Sequence, residues 1–178
     1  MVSGLSNEVR RLLEDVRRVA TARGRASVGG FASEGRRMLE RALRAGWRPR
    51  AVLVGERELE REAELGELLK SHLAVGLAVH RVPDAVLLEL GEERRAALVT
   101  ALFDLPREAS ASELLARAPA PALYLVVVDV EEPGNVGALL RTALACGAAG
   151  MLCVGATDPF HPKAVRTSLG SAFKLPFV

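Results

Sequence analysis

Cysteine is scarce: Cys146 and Cys153 are the only two, and their separation fits neither a zinc-ligand pair nor a C-x-x-C redox motif. A disulfide framework is therefore excluded, and both thiols are expected to be buried, reduced and inert. His72, His80 and His161 are scattered, with no second ligand type at metal spacing, so no metal site is expected. Long apolar runs are also missing. The longest, such as residues 123–128, are strand-sized and far short of the roughly 20 residues that a membrane span requires. The first 20 residues mix Arg and Glu with Leu and Val and contain no signal-peptide core, so the expected compartment is the cytoplasm. Neither a G-x-G-x-x-G fingerprint nor a P-loop occurs, and no internal repeat is visible.

What is present is apolar and unevenly charged. Hydrophobic residues make up 49% of the chain, which argues against disorder. The net charge is only +2, yet basic residues outnumber acidic ones 12 to 5 up to residue 50, trail them 8 to 13 over 51–121, and match them 4 to 4 thereafter. A basic first segment would attract a polyanion by counterion release, with RNA the natural candidate. Arg10, Arg11, Arg17, Arg18, Arg23 and Arg25 are the expected phosphate contacts. The competing reading is an arginine-rich solvated helix face.

Hydrophobic spacing divides the chain. Leu5, Val9, Leu12, Leu13, Val16 and Val19 predict an amphipathic basic helix within residues 1–27, ahead of a glycine- and arginine-containing loop over 23–30. Ser33 is a candidate cap for a helix that Gly46 ends. A strand at 51–54, a helix at 59–72, a strand at 77–82, a capped helix at 84–90 and a strand at 96–103 predict a small α/β sandwich over 28–105. Residues 106–121, rich in Pro and small residues with a short helical stretch around Glu113 to Ala116, read as a linker. From 122 the order is strand, helix, strand with an expected right-handed crossover, and a third strand begins near 175. Three short parallel strands would leave one face poorly covered, so this domain, 122–178, is expected to be truncated.

The segment Asn135-Val136-Gly137-Ala138-Leu139-Leu140-Arg141-Thr142-Ala143 follows the buried strand at 123–130. In a parallel α/β sheet, ligands bind beyond the carboxyl ends of the strands, where this turn lies. A helix capped by Asn135 would offer its amino end to an RNA phosphate. With no side chain at Gly137, Arg141 could run back towards Asn135 and grip a phosphate. Equally, Asn135 could be only a cap, Gly137 a packing residue and Arg141 a surface charge.

The run N-V-G-A-L-L-R-T-A with A-C-G-A resembles the first motif of the SpoU/TrmH RNA ribose 2'-O-methyltransferases, N-x-G-x-x-x-R-x-A. The stretch H-P-K-A-V-R-T-S-L-G-S-A-F-K-L-P resembles that family's following segment. Upstream, F-A-S-E-G-R-R-M-L-E-R-A-L, A-V-L-V-G and V-H-R-V-P-D-A-V-L-L-E-L are similar to its N-terminal ribosomal-protein-like α/β domain, although Glu93-Arg94-Arg95-Ala96-Ala97 stands where the family often has Thr-Pro-Gln-Gly.

The resemblance implies an α/β protein, an RNA-binding sandwich followed by a SPOUT-type trefoil-knot methyltransferase domain. It implies S-adenosylmethionine as donor, RNA, ribosomal rather than transfer, as substrate, and a homodimer. Arg141 and Asn135 become the catalytic pair, and Arg166 and Ser168 become candidate contacts to the target nucleotide, with a simple capping role the alternative for Ser168. A guanidinium stays protonated, so Arg141 is expected to hold phosphate and oxyanion charge rather than act as a base. Downstream of the first motif, the family's Gly-x-Glu and Ser-Leu-Asn-Val motifs do not occur. The donor-binding residues are therefore expected beyond Val178, and the alternative for these 178 residues is a non-catalytic RNA-binding module or inactive fragment.

Overall fold

A computed structural model describes residues 5–61, 69, 76–90, 97–107, 109–117 and 120–178. The chain forms two compact units, Met1–Leu105 and Pro106–Val178.

In the first unit the Ser6 hydroxyl accepts the Val9 amide at 3.2 Å and starts helix α1 (Asn7–Arg18). Val9, Leu13, Val16 and Val19 are buried with Ala32, Leu53, Val82 and Leu102 of the sheet. Helix α1 is thus one layer of this unit, where the sequence suggested a separate N-terminal element over 1–27. Residues expected as a loop form α2 (Ala22–Val28), because the Thr21 hydroxyl accepts the Gly24 amide at 3.0 Å and Gly29, at φ 64°, stops the helix. Ser33 caps nothing. It lies buried in strand β1 (Gly30–Glu34), and helix α3 (Arg36–Arg44) starts after Gly35.

Strand β2 (Ala51–Gly55) leads into α4 (Glu56–Arg61); residues 62–68 and 70–72 of the longer helix expected there lie outside the described residues. Strand β3 (Val79–Val82), helix α5 (Asp84–Leu88) and strand β4 (Val99–Asp104) complete the unit. The Asp84 carboxylate does not cap α5; it accepts the Arg57 amide at 3.3 Å, at the start of α4. Residues 93–96, where the family pattern is replaced, also lie outside the described residues.

The sheet runs β1-β4-β2-β3, with β4 antiparallel to both neighbours and β3 parallel to β2. Register puts Phe31 opposite Phe103 and Ala32 opposite Leu102. Because side chains alternate along a strand, these two pairs point to opposite faces. Ala32 and Leu102 meet α1. Phe31 and Phe103 stack with centroids 5.3 Å apart and meet Trp47, just beyond α3, edge-on. The buried Met38, Leu39 and Ala42 of α3 stand apart from the α1 cluster, so α3 covers the face away from α1.

The second unit opens with helix α6 (Ala111–Ala116), inside the stretch that reads as a linker. Ser110 and Glu113 form a reciprocal capping box. Leu114 packs so close to Gly150 that a Cβ there would lie 2.9 Å from the Leu114 methyl. Strands β5 (Tyr124–Val128) and β6 (Gly150–Val154) are parallel, joined by helix α7 (Pro133–Ala145). Helix α8 (Pro162–Thr167) and a 3-10 turn, Ser171–Phe173, follow, and Phe177 pairs parallel to Met151 as the next strand begins. Val127, Met151, Val136, Leu140 and Ala164 fill the core on one side. On the other side Val126, Val128 and Val154 are each more than half exposed.

Candidate RNA-modification site

Strands β5 and β6 end together. Asp129 (φ 51°) and Gly155 (φ 62°) both take the left-handed conformation, and the Asp129 amide donates to the Val154 carbonyl at 2.9 Å. A Cβ on Gly155 would lie 2.2 Å from the Asp129 carboxylate, so a side chain there would push that carboxylate aside as well as strain the left-handed backbone. Thr157 ties the same loops again, its amide donating to the Val130 carbonyl at 2.9 Å and its hydroxyl to that of Glu131.

From this base rises α7. Its cap is Glu132, not Asn135: the Glu132 carboxylate accepts the Gly134 amide at 3.1 Å, and Pro133, which has no N–H to satisfy, takes the first helical position. The Lys163 ammonium donates to the same carboxylate at 2.7 Å, linking α7 to α8. The lysine hydrogen bond, followed by that of the Gly134 amide, holds the Glu132 carboxyl below its ordinary value of 4.5. The amino end of α7 is therefore capped by the Glu132 carboxylate, in the place expected for Asn135. Sequence reasoning passed over Glu132 and Lys163, although an acidic residue before proline at a helix start is a recognisable signal.

Gly137 is buried against α8. A Cβ on it would lie 2.1 Å from the Thr167 hydroxyl and 2.2 Å from the Ala164 carbonyl, so this glycine permits close helix contact rather than a path for the Arg141 side chain. The Thr167 hydroxyl donates to the Gly134 carbonyl at 3.1 Å across the same contact.

Asn135 and Arg141 are both exposed, and among the described residues no hydrogen bond or ion pair engages either side chain. They lie six residue steps apart, about 9 Å along the axis, so the structure does not bring them together. Arg166 is half-buried at the end of α8. Ser168 is fully buried. Its hydroxyl donates to the Val165 carbonyl at 2.7 Å and accepts the Gly170 and Ala172 amides at 3.3 Å, which corrects its assignment as a nucleotide contact.

In the first unit, Arg10, Arg11, Arg17, Arg18 and Arg23 are exposed. Arg25 is not. It is 2% exposed and donates to the Val19 and Ala20 carbonyls at 3.0 and 3.3 Å, closing the carboxyl end of α1. It is a structural cation and cannot reach a phosphate.

The SpoU rRNA methylase family matches residues 122–178. The 23S rRNA (uridine(2479)-2'-O)-methyltransferase of Streptomyces viridochromogenes is 37% identical over 159 residues, 86% of this chain and 52% of that protein. The 23S rRNA (guanosine(2553)-2'-O)-methyltransferase of Bacillus subtilis is 26% identical over 93% of this chain and 60% of its own length. Among solved structures, the AdoMet-bound rRNA methyltransferase of Sinorhizobium meliloti superimposes with a TM-score of 0.80 at 25% identity, covering 98% of this chain and 63% of the other. The SpoU methyltransferase AviRb of Streptomyces viridochromogenes, in complex with AdoMet, gives 0.79 at 28% identity over 94% and 62%. The chain thus spans between half and two thirds of the length of these relatives. With its motif helix α7 set at the carboxyl end of a parallel strand, the chain belongs to the SpoU/TrmH family, residues 122–178 forming its SpoU rRNA methylase segment.

Proposed function

We propose that this chain is the RNA-holding and substrate-activating part of an S-adenosylmethionine-dependent ribose 2'-O-methyltransferase acting on ribosomal RNA as a homodimer. The observation that carries this reading is Arg141. It is exposed and without an ion-pair partner among the described residues, on the helix that follows β5, in the segment matching the SpoU family.

Among the described residues, the strand ends and the amino end of α7 are taken by the chain's own groups. The carboxyl ends of β5 and β6 are closed onto each other through Asp129 and Gly155, and the amino end of α7 is occupied by Glu132. When bound, the donor supplies a methyl group on a sulfonium sulfur. This chain's part is to orient the ribose. A planar guanidinium at Arg141 grips the phosphate beside the target nucleotide and stabilises negative charge as the 2'-oxygen loses its proton. Its own proton is retained throughout, so the 2'-hydroxyl proton leaves to another acceptor, such as the phosphate. Asn135, a turn and a half away, orients the loop or the nucleotide rather than Arg141 itself. The first unit holds structured RNA through exposed arginines.

The test is methyl transfer from tritium-labelled S-adenosylmethionine to unmodified ribosomal RNA, by a chain extended through the segments its relatives possess. Label appearing at ribose 2'-oxygens, recognised by resistance of the adjacent linkage to alkali, is the expected result. RNA binding without any transfer would leave the binding-module reading in its place.

A further inference from the structure

We propose that the main RNA-binding surface of the first unit is the outward face of α3 and the turn after it, through Arg37, Arg44 and Arg48, and not the arginine-rich helix α1. The inference rests on the RNA reading above and refines where the phosphate backbone lies.

It starts from how the charge is divided. Helix α1 carries Arg10, Arg11, Arg17 and Arg18, but also Glu8, Glu14 and Asp15, a net of +1 from 4 − 3. Residues 36–50 carry Arg36, Arg37, Arg41, Arg44, Arg48 and Arg50 against Glu40 alone, a net of +5 from 6 − 1. Thus most of the +7 of the first 50 residues sits in these 15 positions. The fold then separates the two groups, because α1 and α3 cover opposite faces of the sheet. A single strand of RNA backbone laid on one face cannot use both.

Within the α3 group the structure sorts the arginines further. Arg36 pairs with Glu40 at 3.5 Å, and Arg50 with Asp104 through its Nε at 2.9 Å. Arg41 is half-buried. Arg37, Arg44 and Arg48 are exposed, and among the described residues none of them makes an ion pair. Arg37 and Arg44, two turns apart, project from the side of α3 opposite the buried Met38, Leu39 and Ala42, and span about 10 Å along the axis. All of these cations are arginines, whose planar fork suits phosphate oxygens better than a lysine point charge does. An unpaired guanidinium releases counterions on binding without first breaking an ion pair.

Two variants of the 178-residue chain with the same change in net charge provide the test: Arg37→Gln/Arg44→Gln/Arg48→Gln and Arg11→Gln/Arg17→Gln/Arg18→Gln. Binding to 23S ribosomal RNA transcribed in vitro is measured as a function of salt, with circular dichroism confirming that both variants fold. Loss of the α3 arginines is expected to weaken binding more than about tenfold and to reduce the slope of log affinity against log salt by roughly three. The α1 variant should stay within about threefold. Equal losses would show that only net charge matters, and a larger loss from α1 would place the RNA on the other face; either overturns the assignment and leaves the RNA reading intact. Failure of the unsubstituted chain to bind this RNA at any salt would overturn both.

Discussion

Gly137 of α7 and Thr167 of α8 meet so closely that a single methyl group on the glycine would lie 2.1 Å from the threonine hydroxyl. The contact aligns the two helices that carry the family's matching segments, and it has no slack. Gly137→Ala should destabilise the second unit by about 1–3 kcal/mol, the usual range for overpacking a tight interior. The helix-propensity gain of alanine is too small to offset this. Urea unfolding would show it, and an unchanged midpoint would mean that α8 moves aside at little cost.

Arg141 offers the opposite profile. Being exposed, Arg141→Ala should change stability by less than about 0.5 kcal/mol. In an extended, active chain the same change should lower kcat about 100-fold or more while leaving donor affinity unaltered, as expected for a group acting on transition-state charge. Arg141→Lys should recover little, since an ammonium lacks the planar fork. Near-normal turnover in Arg141→Ala would return this residue to the surface-charge reading.

Arg25 should behave as a core residue. Arg25→Met removes two hydrogen bonds to carbonyls at the end of α1 and leaves those carbonyls poorly satisfied, at a cost of about 2–4 kcal/mol to the first unit. The salt dependence of RNA binding, measured where the variant is folded, should not change. A reduced slope would show that Arg25 reaches the nucleic acid after all.

The Glu132–Lys163 pair gives a pH signature. The folded Glu132 carboxyl is held below 4.5, chiefly by Lys163 and next by the Gly134 amide, so its stabilising contribution is complete above 4.5 and is lost as pH falls through the folded value. Lys163→Met should move the Glu132 titration upward, followed by carboxyl-carbon NMR, and weaken the acid sensitivity of the second unit in that window. A Glu132 titration indifferent to Lys163 would contradict the contact.

Legibility in the sequence followed how local each signal was. Helix α1 and strand β5 announce themselves through hydrophobic spacing that needs no partner: Val9, Leu13 and Val16 recur at helical intervals, and Tyr124–Val128 is one apolar run. Strand β1 was hidden because Gly30, Ala32 and Ser33 have little intrinsic strand preference. They are extended because Phe31 and Ala32 pair with Phe103 and Leu102, some 70 residues later. In α7 the motif was visible but its cap was misplaced by three residues, since Pro133 lets the helix begin before Asn135. Arg25 and Ser168 looked functional because charge and hydroxyl groups are usually exposed. Their burial is set by carbonyls and amides that only the folded turns bring to them.

The order of strands in the first sheet also says something about time. Strand β4 lies between β1 and β2, yet it is the last of the four to be synthesised. Strands β2 and β3 can pair as soon as both have left the ribosome, whereas β1 must wait without a strand partner until residue 104 emerges. A nascent chain that has emerged only as far as the residue before Val99 would hold three strands with a gap where the keystone belongs. The unit therefore closes late, and a pause in synthesis while Val99–Asp104 is still inside the ribosome would prolong its most aggregation-prone state.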